Sequence, residues 1–439
     1  MTIGINAAAA VKLSRTGVEE YTYQLIKHLT MLTEAREHRF LLYLPVEARR
    51  MKAGETEVIV NLSTSFRSAQ GISPEQASRS RAAGASKANL FDFPLPLNFE
   101  IKILRWPLPF LWTQIRLAWE MWRRKPDVLF IPVHILPFGA PKNSVATIHG
   151  LEYEYFPKDY SLWRRLYLRW STKRAARRAK KLIAVSESTK NDLIKFYGAD
   201  AGKIEVVYHG VNFSNPSLPL LNLRGGEIHP NPPFQKEGEI SPLNLRGSEG
   251  ELCKPYILYI GRIETKKNIQ GILETYKILK EQYNIPHELI LAGAPGYGYD
   301  NLKFKIANLK LKITEIGYID EATKWQLFSK ADVFLFPSFY EGFGLPVLEA
   351  QSAGVPVVIS YNSSLPEIAG EGVLFVNPLN PAQIAEAVKS IIDDKILRDR
   401  LIKLGFENVK RFSWEKCARE TLDTLLNYKS FTNITNKNL

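Results

Sequence analysis

With 439 residues, 45% of them hydrophobic and 23% charged, the chain is too apolar to be disordered and long enough for two folded domains. Its two cysteines, Cys253 and Cys417, have no metal-ligand spacing and are too few for a disulfide scaffold, so a reducing, cytoplasmic setting is expected. The net charge of +13 calls for an anionic partner without choosing among phosphorylated donor, anionic lipid and nucleic acid, and no apolar run is long enough to span a bilayer.

In chain order, strand and helix signals alternate from the start, the pattern of a parallel sheet. Ile3-Gly4-Ile5 reads as a first strand rather than a signal peptide. The loop Ser14-Arg15-Thr16-Gly17 follows, then an amphipathic helix from Val18 to Leu29, and Gly17 suits close approach by a phosphate or sugar. Residues 62–100, rich in Ser, Ala and Gln, read as a poorly structured excursion. In Leu108 to Arg124, residues Leu111, Trp112, Ile115, Trp119 and Trp122 fall on one α-helical face, and a buried strand follows directly, so a core helix is expected. Val145 to Ile148 is a strand with His149 at its carboxyl end. Between Leu162 and Lys181 there are nine Lys or Arg and no acid, interleaved with Trp163, Leu166, Tyr167 and Trp170. That pattern fits a basic amphipathic helix on an anionic membrane surface, and equally a solvated helix with its aromatic side packed inward. Lys181 to Ser186 is another strand, with Ser186 capping the next helix, and Ile204 to Tyr208 ends this half.

Residues 213–252 break the pattern. Pro219-Leu220-Leu221-Asn222-Leu223-Arg224-Gly225 is echoed by Pro242-Leu243-Asn244-Leu245-Arg246-Gly247 in Pro- and Gly-rich sequence, so a disordered insert without catalytic role is expected. Tyr256 to Gly261 opens a second sheet, with Arg262 and Lys267 in its strand-to-helix loop, where two cations would neutralise a diphosphate. Further strands are expected at Leu289 to Ala292, Ile313 to Ile319, Val333 to Phe336 and Val357 to Ile359. Between the last two lies the stretch that carries the chemistry. Gly342 and Gly344 permit a tight loop. A helix from Leu345 to Ala353 puts Leu345, Leu348, Ser352 and Ala353 on one face, with Gly354 as its cap. The amides of Phe343-Gly344-Leu345, at a helix start, suit a phosphate. The carboxylates of Glu341 and Glu349 suit the hydroxyls of a sugar. Together they fit a nucleotide sugar at the carboxyl ends of parallel strands.

The segment SFYEGFGLPVLEAQSAGVPVV, with Glu341 and Glu349 spaced E-x7-E, resembles the large retaining glycosyltransferase family 4. The resemblance implies the GT-B architecture, an α/β fold of two Rossmann-like doubly wound domains facing across a cleft. The implied division is an acceptor-side domain (1–212), the insert (213–252), a nucleotide-sugar domain (253–411), a helix crossing back (412–429) and a frayed tail (430–439). TIHGLEYEYFP resembles the segment whose His contacts the transferred sugar, which points to His149. GRIETKKNI resembles the phosphate clamp, giving that role to Arg262 and Lys267. By the same resemblance Gly17 is the donor-facing glycine, without the frequent paired glycine. Tyr318 and Ile319 offer backbone to the base, and Glu341, Phe343, Gly344, Leu345 and Glu349 complete the donor site. The implied activity is retaining, metal-independent transfer of a hexose without a cofactor, mannose from GDP-mannose being favoured, to a saccharide or lipid-linked acceptor. An epimerase or phosphorylase of the same architecture, and a basic nucleic-acid-binding protein, are the alternatives. The expected place is the cytoplasm, peripheral to the membrane if residues 162–181 bind lipid.

Overall fold

The computed structural model describes residues 1–12, 15–46, 91–106, 111–212 and 254–427. The insert 213–252, the tail 430–439 and residues 62–90 of the excursion lie outside them. The chain divides into two compact units. The first is Met1–Gly210 with Glu341–Leu345 and the segment from Phe412; the second is Val211–Tyr340 with Pro346–Arg411.

The first unit holds a seven-stranded, all-parallel sheet in the order β3-β2-β1-β4-β5-β6-β7. Its strands are β1 (Thr2–Asn6), β2 (Arg39–Val46), β3 (Phe99–Arg105), β4 (Val128–Ile131), β5 (Ser144–Ile148), β6 (Lys181–Ala184) and β7 (Ile204–Val206). β4 and β5 are buried along their whole length. Burial on both faces leaves no polar side to show, which is why β4 runs continuously apolar as Val-Leu-Phe-Ile, while β5 buries the small polar Ser144 and Thr147 beside its apolar residues. Helix α1 (Gly17–Met31) opens with Thr16, whose backbone N–H donates to the Glu19 carboxylate at 3.2 Å, half of a capping box.

Two expectations are corrected here. Residues 91–100 are built into the fold rather than forming part of a loose excursion. Phe91 and Phe93 are buried in the first unit's core, and Phe99 opens β3 opposite Phe40, the two rings stacked at 4.3 Å. The alternation of Phe91, Phe93 and Leu95 carries that signal at a period of two. The second correction concerns the tryptophan helix. Trp112–Leu117 is a π-helical turn leading into helix α2 (Ala118–Arg123). Trp112, Leu117 and Met121 are buried, whereas Ile115, Trp119 and Trp122 are exposed, Trp122 by 75%. A π turn carries more residues than an α turn, so the side chains beyond it rotate out of the phase that a 3.6-residue period projects. The one predicted core face is thus two faces, one inside and one in solvent.

The second unit is a six-stranded parallel sheet in the order β10-β9-β8-β11-β12-β13. It comprises β8 (Tyr256–Ile260), β9 (Glu288–Ala292), β10 (Ile313–Gly317), β11 (Val333–Phe336), β12 (Val357–Ser360) and β13 (Val373–Val376). In both sheets the order reverses beside the first strand, the switch point at which ligands bind in open α/β folds.

Candidate active site

In the second unit, β8 runs into the loop that carries both cations of the clamp. Arg262 is exposed, and the Tyr259 hydroxyl donates to its backbone carbonyl at 2.8 Å. Lys267 closes a short 3-10 turn, Thr265–Lys267, with its Nζ 5.5 Å from the centroid of the Phe336 ring. Asn268 then takes a left-handed conformation (φ 57°), and its side chain accepts from the Gly271 N–H at 3.1 Å. Its Nδ2 donates to the Pro378 carbonyl at 2.7 Å. The loop is therefore held from both ends while Arg262 projects into solvent.

The segment after β11 is tied to that loop by the Phe339 N–H, which donates to the Lys266 carbonyl at 3.0 Å. Ser338 is fully buried, and its hydroxyl finds no partner among the described residues. Its carbonyl accepts from Asn362 Nδ2 at 3.2 Å and from the Ser360 hydroxyl. Helix α3 (Leu345–Ser352) buries Val347, Leu348, Ala350 and Gln351, a different inward face from the one its spacing suggested. Glu349, on this helix, meets Lys324 of helix α4 (Glu321–Phe328), Nζ to Oε1 at 2.6 Å. Burial disfavours the Lys324 charge, but Glu349 and Glu321 outweigh it and raise its pKa. Tyr318 is 44% exposed and Ile319 half-buried, just beyond β10 and Gly317.

In the first unit, His149 stands at the carboxyl end of β5. Its Nε2 lies 2.6 Å from the Pro132 carbonyl, which can only accept, so Nε2 carries the proton and Nδ1 is left as an acceptor. Burial pushes its pKa down to about 4, against the Pro132 hydrogen bond, so the ring is neutral near pH 7. Its edge meets Tyr21 at 4.8 Å. Glu341 is only 9% exposed, and Glu341–Leu345 belongs with this unit. The Gly342 carbonyl accepts from Ser186 Oγ at 2.7 Å and Thr189 Oγ1 at 3.3 Å. A Cβ on Gly342 would sit 1.7 Å from the His149 carbonyl oxygen, so no other residue fits without moving that backbone. Gly344 has φ 107°, a conformation that L side chains rarely adopt. Phe343 is buried, its ring tilted 39° against that of His209 with the centroids 4.5 Å apart.

Within the first unit His149 and the Glu341–Leu345 segment are thus brought together, and within the second the two cations share one loop. Gly17 is different: a Cβ there would meet nothing within 4 Å, so packing does not demand glycine. Sequence reading missed Ser186, Thr189, Ser338 and Lys324. The first two looked only like helix-start residues. The one signal for Lys324 was a lysine set among the apolar positions of α4.

Two parallel-sheet Rossmann-like units, each with its order reversing beside its first strand, are the architecture of a GT-B glycosyltransferase. The profile of Glycosyltransferase Family 4 matches residues 15–215, and that of Glycosyl transferases group 1 matches residues 245–407. O-antigen chain mannosyltransferase B of Escherichia coli is 27% identical over 95% of this chain and 98% of its own. Sucrose-phosphate synthase from Thermosynechococcus elongatus superimposes with TM-score 0.63 at 17% identity, covering 96% of this chain and 98% of its own. Anabaena Alr3699/HepE, solved with UDP and glucose, gives TM-score 0.60 at 15% identity over 97% and 98%. The chain belongs to the glycosyltransferase family that these two profiles describe, and it is a hexosyltransferase.

Proposed function

We propose that this protein moves a hexose, with mannose favoured, from a nucleotide-sugar donor to a saccharide or lipid-linked saccharide during synthesis of a cell-surface polysaccharide. The observation that carries this reading is the similarity to the E. coli O-antigen chain mannosyltransferase along nearly the whole of both chains. Donor and acceptor meet on the cytoplasmic side, where nucleotide sugars are made.

The residues support a division of labour. Arg262 and Lys267 take the diphosphate, with the amides of Phe343, Gly344 and Leu345 at the start of α3 adding donors. As the bond from the anomeric carbon to the β-phosphate oxygen lengthens, negative charge grows on the diphosphate, and the two cations stabilise it. The acceptor oxygen attacks from the same face and passes its proton to the departing phosphate, so the configuration is retained. Glu341 accepts hydrogen bonds from the sugar, and Glu349 from the ribose. Neutral His149 offers its Nδ1 lone pair to a sugar hydroxyl. Gly17 borders the donor, and the backbone of Tyr318 and Ile319 lies against the base. With the diphosphate neutralised by side chains, turnover is expected to need no metal. The test is nucleoside diphosphate release from a panel of nucleotide sugars in the presence of a chelator. GDP-mannose should be turned over fastest, and a panel without turnover would overturn the reading.

A further inference from the structure

The polar machinery above leaves an exposed apolar surface on the first unit unexplained. Four of the eight tryptophans, Trp119, Trp122, Trp163 and Trp170, are exposed, by 52%, 75%, 81% and 40%. All four lie on two neighbouring helical segments. One is Leu111 to Arg123, where Leu111, Ile115, Trp119 and Trp122 form an outward stripe. The other is the basic helix Leu162–Arg178.

That basic helix packs through Ser171, Thr172, Ala175 and Ala176, small residues confined to its second half. Its first half stands in solvent. Trp163, Leu166, Tyr167 and Trp170, spaced i, i+3, i+4 and i+7, form a stripe on the side away from the packed residues. The two segments are joined: Gln114 Nε2 donates to the Tyr167 hydroxyl at 3.4 Å and to the Leu136 carbonyl at 3.2 Å. Between them Phe138, 59% exposed, meets Trp170 at 5.5 Å, and Arg174 donates to the Phe138 carbonyl. Lys173, Arg177 and Arg178 are exposed and form no ion pair with any described residue. The basic helix itself carries no acid.

We propose that this two-helix face is a docking surface for a bilayer containing anionic lipid. The composition selects lipid over nucleic acid or an acidic protein. Tryptophan and tyrosine favour the headgroup level of a membrane, and their cationic neighbours favour anionic headgroups. Leu111, Ile115, Leu162 and Leu166, aliphatic and exposed, gain from acyl chains and have nothing to offer a phosphate backbone or a base. No helix of the described residues is long and apolar enough to cross a membrane, so attachment here is interfacial.

The inference does not depend on the donor site, and the experiment keeps the two apart. The full chain is mixed with vesicles of phosphatidylcholine alone, or with phosphatidylglycerol added, at low and high salt. Sedimentation is measured together with quenching of tryptophan fluorescence by brominated acyl chains. Binding should require the anionic lipid, fall with salt, and bring tryptophan within reach of the bromines. Trp119→Ser with Trp122→Ser should lower partitioning about tenfold. Lys173→Gln, Arg177→Gln and Arg178→Gln together should lower it about a hundredfold. Nucleoside diphosphate binding by the same preparations should not change, which also certifies that the variants are folded. No binding to anionic vesicles at low salt would overturn the proposal. So would binding without bromine quenching, or a preference for a single-stranded nucleic acid over the vesicles.

Discussion

Lys324 on α4 and Glu349 on α3 form a largely buried ion pair, Nζ to Oε1 at 2.6 Å, and Glu321 meets the same ammonium at 2.7 Å. An ammonium drawn between two acids in this way holds the Glu349 carboxylate in one place. If Glu349 holds the ribose as proposed, Lys324→Met should weaken nucleoside diphosphate binding about tenfold while leaving the rate at saturating donor little changed. Calorimetric titration read beside the steady-state constants checks this. A variant with a lower melting temperature and unaltered affinity would show the pair to be purely structural.

Glu341 lies in a loop, and its proposed partner is the donor sugar. Glu341→Ala should abolish transfer, a loss of about a hundredfold or more, with the circular dichroism spectrum unchanged. Unchanged turnover would remove Glu341 from the site.

Arg262 and Lys267 sit on one β8-to-helix connection. If both act on one diphosphate, Arg262→Ala and Lys267→Ala should each weaken nucleoside diphosphate binding about ten- to a hundredfold, and the double variant should fall short of the product. Full additivity would mean that the two cations serve different groups.

Acid should destabilise the first unit. His149 keeps a folded pKa of about 4, below the ordinary 6.5, because burial disfavours its charge. His209, buried against Tyr21, Phe343 and Trp414, is lowered well below that value by burial as well, and the neighbouring His149 adds to the effect. The unfolded chain takes up these protons first, so stability is whole above about pH 6.5 and falls as pH drops toward 4. His149 alone should contribute about 2 kcal/mol of loss at pH 5. Urea midpoints at pH 7 and pH 5 measure it, and His149→Gln should flatten the difference. A midpoint independent of pH would contradict the assignment.

Much of this was legible in the sequence, for reasons that differ by element. The central strands β4, β8 and β11 are short continuous apolar runs, such as Val333 to Phe336, because both of their faces are buried. The loop glycines were readable because backbone geometry demands them: Gly342 lies against the His149 carbonyl and Gly344 takes a positive φ. The phase of the tryptophan helix was not readable, since a π turn leaves no mark in residue spacing. Lys324 was missed because a buried cation is identified by its partner, and Glu349 lies 25 residues away in sequence. The Ser338 hydroxyl, without a partner among the described residues, was hidden in the same way, by tertiary burial of a residue that reads as a turn.

The most direct test of the central claim is the anomeric configuration of the first sugar released from a nucleotide-sugar donor by the wild-type protein. It can be followed by proton NMR before mutarotation. From α-linked GDP-mannose a retaining transferase forms α-mannose, or an α-mannoside when a saccharide acceptor is supplied, and is expected to do so in the presence of a chelator. First-formed β product, or no product from any nucleotide sugar, would contradict it.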